Sequence, residues 1–233
     1  MKTAAFFDVD GTLYTANMWR GLMQYVAQNG RRARTRAYFY GLMPLYVMRK
    51  LRLIREETFR KPWVSKLGWL IQGWSAAQGD AAFRWVANEY VRPSARADVI
   101  ARLREHTAQG HAVFLVSAML KPTLRAIGEP LGITDVIGTE IEIKNDRYTG
   151  AITSRVCMGA AKGAMTREFL DARGIAIDFA ACYAYADSFS DLSLFEMVGH
   201  PIAVYPDAEL AAHARAKNWE IMNGTRTNAD ERG

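Results

Sequence analysis

Short apolar runs alternate with helical patterns from Pro93 to Lys217, and this alternation limits the fold more than any other feature. Ser94 is expected to cap a helix reaching about Gly110, followed by a strand from His111 to Ser117 and a helix from Leu120 to Leu131. A short strand from Asp135 to Thr139 comes next, then a small hairpin from Glu140 to Thr153 turning at Asn145-Asp146. Further on come a helix from Ala161 to Arg173, a strand from Phe179 to Ala186, a helical stretch from Asp191 to Val198 and a strand from Pro201 to Tyr205. Asp207 then caps a helix to about Lys217. At the other end, Thr3 to Val9 reads as a buried strand finishing near Asp8. Strands separated by helices pair in parallel, so the expected class is α/β, a Rossmann-like doubly wound parallel sheet.

One stretch does not fit the alternation. From Asp8 to Ser117 the chain runs 109 residues, where a crossover and a strand need only roughly 25 to 30. The excess, about 16–92, is helical in pattern, as in Trp19, Leu22, Met23 and Val26. Breaks near Gly30, Pro44, Pro62 and Gly79 predict roughly four helices, with Asp80 capping the last. Its composition also differs: fourteen Lys and Arg against four Asp and Glu, and five of the six tryptophans. Two modules are therefore expected, 1–15 with 93–223 and 16–92, followed by a disordered tail over 224–233. Two cysteines without a C-x-x-C exclude a disulfide scaffold and a four-cysteine zinc site. With no signal peptide or spanning segment expected either, the chain reads as cytoplasmic.

Ligands of open parallel sheets bind beyond the carboxyl ends of the strands. Those ends carry Asp8-Val9-Asp10-Gly11-Thr12, Ser117 and Asp187-Ser188, with Asp191 four residues on and Lys162 at a helix start. Each has an ordinary structural reading: a turn, a cap, first-turn charge, a solvated lysine. Together they suit one chemistry. Clustered carboxylates need a cation, and a hard ion with oxygen ligands, Mg²⁺, suits these, with a phosphate completing its shell. Ser117 and Lys162 would hold phosphoryl oxygens, Asp8 would attack phosphorus, and Asp10 would exchange protons with the leaving oxygen and with water. Walker, EF-hand and H-E-x-x-H motifs are absent.

The order Asp8-Val-Asp-Gly-Thr-Leu, Ser117, Lys162 and Ala186-Asp187-Ser188-Phe-Ser-Asp191 resembles the four motifs of haloacid dehalogenase (HAD) superfamily hydrolases. Asp146-Arg-Tyr-Thr-Gly150, Gly159-Ala-Ala-Lys-Gly163 and the stretch from Val198 to Asp207 are similar to the phosphoserine-phosphatase-like branch, subfamily IB. The resemblance implies a Mg²⁺-dependent phosphatase. Asp8 would be the nucleophile and Asp10 the acid/base. The metal would be held by Asp8, the Asp10 carbonyl and Asp187, and phosphate by Ser117, Lys162, Gly11, Thr12 and Ala118. Asp191 would position Lys162 or a metal-bound water. It also makes 16–92 a helical-bundle (C1-type) cap that excludes water and selects the leaving group.

The chain departs from phosphoserine phosphatases where Ala118-Met119 replaces glycines and where Asn17 replaces an acid that faces the substrate amine. Both departures argue against phosphoserine, and Asn17 with Arg20 is assigned to substrate selectivity. The aromatics of the helical segment serve either core packing or recognition. The run from Tyr38 to Met48 lies between Arg31, Arg32, Arg34 and Arg36 on one side and Arg49, Lys50, Arg52 and Arg55 on the other, which suits a membrane surface or an amphiphilic phosphate. Nucleic acid is disfavoured, since no recognised nucleic-acid fold is present. The expected partner is a small-molecule phosphomonoester. The alternatives are a phosphotransferase of the same fold, or a basic lipid-binding module with a vestigial site.

Overall fold

The computed structural model describes residues 2–51, 53, 54 and 56–223. The expected tail over 224–233 lies outside the described residues, as do Arg52 and Arg55. Eight strands are seen among the described residues: β1 (Ala4–Phe7), β2 (Ala112–Leu120), β3 (Val136–Thr139), β4 (Ile141–Lys144), β5 (Arg147–Ile152), β6 (Tyr183–Ala186), β7 (His200–Val204) and β8 (Glu220–Met222). Six of them form one sheet in the order β3-β2-β1-β6-β7-β8, and every neighbouring pair is parallel. β1 is central and buried on both faces, as a central parallel strand must be.

Side-chain alternation along β1 explains the two-sided core. Ala5 and Phe7 face one layer together with Leu115, Val136, Tyr185 and Ile202. Ala4 and Phe6 face the other together with Phe114, Val116, Ile137 and Ala184. Burying each phenylalanine contributes about 1.5–3 kcal/mol. The helices between β1 and β2 are α1 (Met18–Val26), α2 (Arg32–Lys50), α3 (Glu56–Ser65), α4 (Leu67–Ile71) and α5 (Ala76–Trp85). They pack on the first layer along with α6 (Ala97–Ala108) and α7 (Lys121–Gly128). The second layer is covered by α8 (Ala160–Ala172), α9 (Leu192–Phe195) and α10 (Ala208–Ala216).

The helical insertion enters and leaves through a narrow neck. Thr15 and Ala16 donate backbone N–H bonds to the Ser94 carbonyl and hydroxyl, each at 3.0 Å. Next to them Arg96 N–H donates to the Leu13 carbonyl at 2.9 Å. A second tie comes from the β4–β5 hairpin. Gly73 and Tyr148 N–H groups reach the Tyr148 and Trp74 carbonyls at 2.8 and 2.9 Å, and Ala76 N–H reaches the Asp146 carbonyl at 2.9 Å. The hairpin turns through left-handed Asn145 (φ 49°) and Asp146 (φ 57°), the residue types that tolerate this conformation best after glycine.

Several local expectations are corrected. Pro44 and Pro62 lie inside α2 and α3, because the buried Tyr38, Leu42 and Trp63 hold those helices through the lost backbone bond. Gly79 lies inside α5, where the Tyr148 ring packs so closely that an added Cβ would come within 2.1 Å of it. The α5 cap is Ser75, in a reciprocal capping box with Gln78, and not Asp80. Ser94 binds the neck and does not cap α6. β2 runs on to Leu120, Phe179–Ala181 is one tight turn ahead of β6, and the sheet has a sixth strand, β8, in a stretch between the last expected helix and the tail for which the sequence predicts no element. The break at Gly30 is present, at φ 81°.

Candidate active site

Asp8 follows β1 directly, and its N–H still makes a sheet bond to the Tyr185 carbonyl at 2.9 Å. The chain then turns sharply, with the Val9 carbonyl accepting from Leu13 and Tyr14 N–H. Gly11 has φ +88°, and a Cβ there would fall 2.1 Å from Asp187 Oδ2. The glycine therefore lets the β1 loop meet the β6 loop. Thr12, fully buried, donates its hydroxyl to Asp8 Oδ2 at 3.1 Å and to Asp187 Oδ1 at 3.2 Å.

Lys162 stands in the first turn of α8 with 2% of its surface exposed. Its Nζ donates to Asp8 Oδ1 at 2.6 Å and to Asp191 Oδ1 at 2.8 Å. Burial alone would strip its charge, but Asp191 and Asp8 outweigh that and raise its pKa. Both Asp8 oxygens are thus held, one by an ammonium and one by a hydroxyl.

Four acids share this space with one lysine. Burial, reinforced by Asp8 and opposed by the Met18 N–H, pushes Asp10 up to about 7. Burial, reinforced by Asp8 and Asp191, pushes Asp187 up to about 7. Asp191 is also raised, chiefly by burial, with Lys162 opposing. Carboxylate oxygens of Asp8, Asp187 and Asp191 lie within 4.8 Å of one another. An oxygen-only, electron-rich cluster whose ionisation is resisted for want of positive charge fits a hard divalent cation.

Asp10 points elsewhere. Its Oδ1 accepts the Met18 N–H at 2.8 Å, so its carboxyl caps α1. Asn17 occupies the cap position but makes no side-chain bond there. Asp10 therefore joins the sheet rim to the helical insertion.

Ser117 lies where β2 has run past its partner β1, in a stretch where the register with β3 shifts. Asp8, Asp10, Ser117, Ala118, Lys162, Asp187 and Asp191 surround a cavity of about 40 Å³. Gly11 and Thr12 do not line it; they brace its walls. The turn after Asp187 is capped by the Ser188 hydroxyl, and Asp191 stands at the cap position of α9 without a side-chain bond there.

This small cavity adjoins a far larger one, of about 580 Å³, with Asp10, Arg60, Ala118 and Met158 in the walls of both. Asn17 and Arg20 line the larger space, with Trp19, Phe39, Tyr46, Phe59 and Trp63. Trp63 is the hub, 5.3 Å from the Trp19 ring and 5.8 Å from those of Phe39 and Phe59. Three arginines stand in the wall, Arg20 over Trp19 and Arg49 over Phe59, with Arg60 the third. Among the described residues lining it, Asp10 is the only acid.

The family model for haloacid dehalogenase-like hydrolases matches residues 5–196. The chain belongs to that family. Curated relatives of this hydrolase include a phosphoserine phosphatase of Mycobacterium tuberculosis, 28% identical over 96% of this chain and 71% of the relative. A histidinol-phosphatase of Neisseria meningitidis is 26% identical over 96% and 99%. A solved structure from Bordetella pertussis Tohama I, of unknown function, superposes with a TM-score of 0.82 at 27% identity, covering 96% and 99% of the two chains.

The sequence reading of the hydrolase missed Arg60, which lines both cavities from α3 and acts on the charges of Asp10 and Asp191. Nothing in the sequence separates it from the other basic residues of the insertion. It also missed Cys157 in the small cavity's wall, a thiol that burial pushes up to about 12 and so keeps un-ionised.

Proposed function

We propose that this phosphatase hydrolyses phosphomonoesters by way of a phosphoryl group carried on Asp8, and that it prefers an uncharged or anionic apolar leaving group. The phosphatase assignment follows from the family and from relatives named as phosphatases. The aspartyl-phosphate route rests on the held carboxylate of Asp8 beside a phosphate-sized cavity.

In the first step an Asp8 oxygen bonds to phosphorus as the ester P–O bond breaks, and Asp10, protonated near neutral pH, gives its proton to the departing oxygen. In the second, Asp10 takes a proton from water, the water oxygen bonds to phosphorus, and the bond to Asp8 breaks, freeing phosphate. Ser117 and Lys162 bind the phosphoryl oxygens throughout. Asp8, Asp187 and the Asp10 carbonyl are the groups that would hold Mg²⁺, which when bound offsets the rim's negative charge and draws in a phosphate dianion. Asp191, bonded to Lys162 Nζ, keeps the ammonium aimed at Asp8.

The observation that carries the preference is the larger cavity: five aromatic rings, three guanidinium groups and, among the described residues, no acid but Asp10. Such a lining offers an ammonium no carboxylate but Asp10 and sets three guanidinium charges against it, whereas an apolar body gains burial and any second anion gains an arginine. The helical insertion, 16–92, acts as the cap that forms this cavity over the rim.

The test compares kcat/KM for phosphoserine, histidinol phosphate, a nucleotide monophosphate and a short-chain lysophosphatidate kept below micelle formation. The lysophosphatidate is expected to lead and the two amines to trail. An amine substrate in first place overturns the preference. Asp8→Asn is expected to abolish turnover with the fold intact, and chelation to abolish it until Mg²⁺ returns. Undiminished activity in either case overturns the route.

A further inference from the structure

A surface helix normally turns an apolar stripe inward and a polar one outward. α2 does not. Its inner side buries Thr35, Tyr38 and Leu42. Its outer side presents Ala33, Ala37, Tyr40, Pro44, Val47, Met48 and Leu51, all exposed. At 100° per residue these seven fall within an arc of about 100°. Six of the eight large apolar side chains most open to solvent among the described residues belong to α2 or follow it, with Tyr40 at 67%, Val47 at 49%, Leu51 at 63% and Leu53 at 67% exposure. A contiguous exposed apolar face of this kind marks an interaction surface.

The charge around the stripe selects the partner. Arg32, Arg36 and Lys50, all exposed, lie along one edge of it. Between Asp10 and Glu56 the sequence holds nine Lys and Arg and no acid at all. A second copy of α2 would set like-charged edges against each other. The ten residues after Asn223 contain no apolar side chain larger than Ala229, so they have nothing with which to cover the stripe. An anionic lipid surface meets both demands: apolar side chains enter the acyl boundary and the flanking cations meet headgroups.

We infer that the outer face of α2 docks on an anionic bilayer. Among the described residues no helix is long and apolar enough to cross a membrane, so the contact is peripheral. Tyr46 and Arg49, which line the larger cavity, lie on the other side of α2, about 100° around the helix from the edges of the stripe. The docking does not depend on the substrate proposed above and is measured without turnover.

Not every cation counted in the sequence is available to lipid. Arg31 donates to the Leu70 and Gln72 carbonyls at 3.1 and 2.9 Å, and Arg34 to the Trp69 and Gln72 carbonyls at 3.2 and 3.0 Å. These two close the carboxyl end of α4.

The experiment is co-sedimentation of the full chain with phosphatidylcholine vesicles and with vesicles in which roughly a third of the lipid is phosphatidylglycerol. Wild type is expected to bind the anionic vesicles, less so as salt rises, and to leave the neutral ones unbound. Val47→Asp with Leu51→Asp should lower that binding tenfold or more, and Arg36→Glu with Lys50→Glu should do the same. Circular dichroism and hydrolysis of p-nitrophenyl phosphate should stay unchanged, since none of these four lines a cavity. Absence of binding, equal binding to both vesicles, or wild-type binding by the aspartate variant each overturns the proposal. So does a dimer in sedimentation velocity that Leu51→Asp converts to monomer, which would assign the face to a second copy.

Discussion

The two adjoining cavities are built on opposite plans. The small one is made by loops at strand ends, every acid in it bonded or braced, and it has room for little beyond a phosphate. The large one is made mainly by helices and lined with aromatic rings and arginines, with Trp63 in ring contact with Trp19 and Phe59. A charged reaction centre needs fixed dipoles and ammonium groups at set distances. Recognition of an apolar body needs only area and shape. The first demand leaves a spaced motif in the sequence and the second leaves only a composition.

The comparison breaks most visibly at Asp10, the residue that touches both plans. Asp10→Asn is expected to lower kcat about 10²–10⁴-fold, since it removes the proton donor and acceptor. In single turnovers of an alkyl phosphate by wild type, the rate should fall as pH rises and Asp10, whose pKa burial raises, loses its proton. A p-nitrophenyl ester, whose leaving oxygen needs no proton, should show no such fall. A pH-independent alkyl rate would remove Asp10 from the first step.

Gly11→Ala tests the rigidity of the rim. Its Cβ would meet Asp187 at 2.1 Å, in a backbone conformation that favours glycine, so we expect a loss of about 2–4 kcal/mol in urea unfolding together with most activity. Trp19→Leu tests the other plan: kcat/KM for the lysophosphatidate should drop about tenfold, while competitive inhibition by inorganic phosphate, which senses only the rim, stays put. Equal losses on both measures would mean that the two cavities act as one.

His106 lies away from both cavities, bonded to His111 at 2.8 Å and to the Tyr185 hydroxyl at 2.9 Å. Burial, aided by His111 and Arg102, lowers its pKa from 6.5 to about 4. The unfolded chain takes up this proton at higher pH than the native one, so stability is full above about 6.5 and is lost as pH falls toward 4, by up to about 3 kcal/mol. Replacement by Gln should flatten that part of the urea profile. The smallest expected effect is Gly41→Ala, at an open position in α2, where the better helix former should add about 0.5–1 kcal/mol.

What the sequence makes legible follows the same division. The parallel core, the hairpin turn at Asn145-Asp146 and the Asp207 cap are local signals that tertiary packing leaves alone. The convergence of Asp8, Lys162, Asp187 and Asp191 was legible because their order matches strand ends. Pro44, Pro62 and Gly79 misled because partners far along the chain decide what a helix tolerates, as Tyr148 does for Gly79. Arg31 and Arg34 look like a solvated basic face until their α4 carbonyls are seen. Neutralising them together with Arg32 and Arg36 would therefore mix lost helix capping with lost surface charge. Arg60 had no local signal at all.

The neck at Thr15 and Ser94 bears on how the chain finds its fold. β1 must pair with β2, Ala4 against Ala112, across more than a hundred intervening residues. Closing so long a loop is entropically expensive in an unstructured chain. Once the helices between them have collapsed together, their two ends lie side by side and the effective loop is roughly a quarter as long. That shortening lowers the closure cost by about 1 kcal/mol. The helical segment that shapes the substrate cavity in the finished enzyme would thus serve earlier as the splint that brings the two central strands into register.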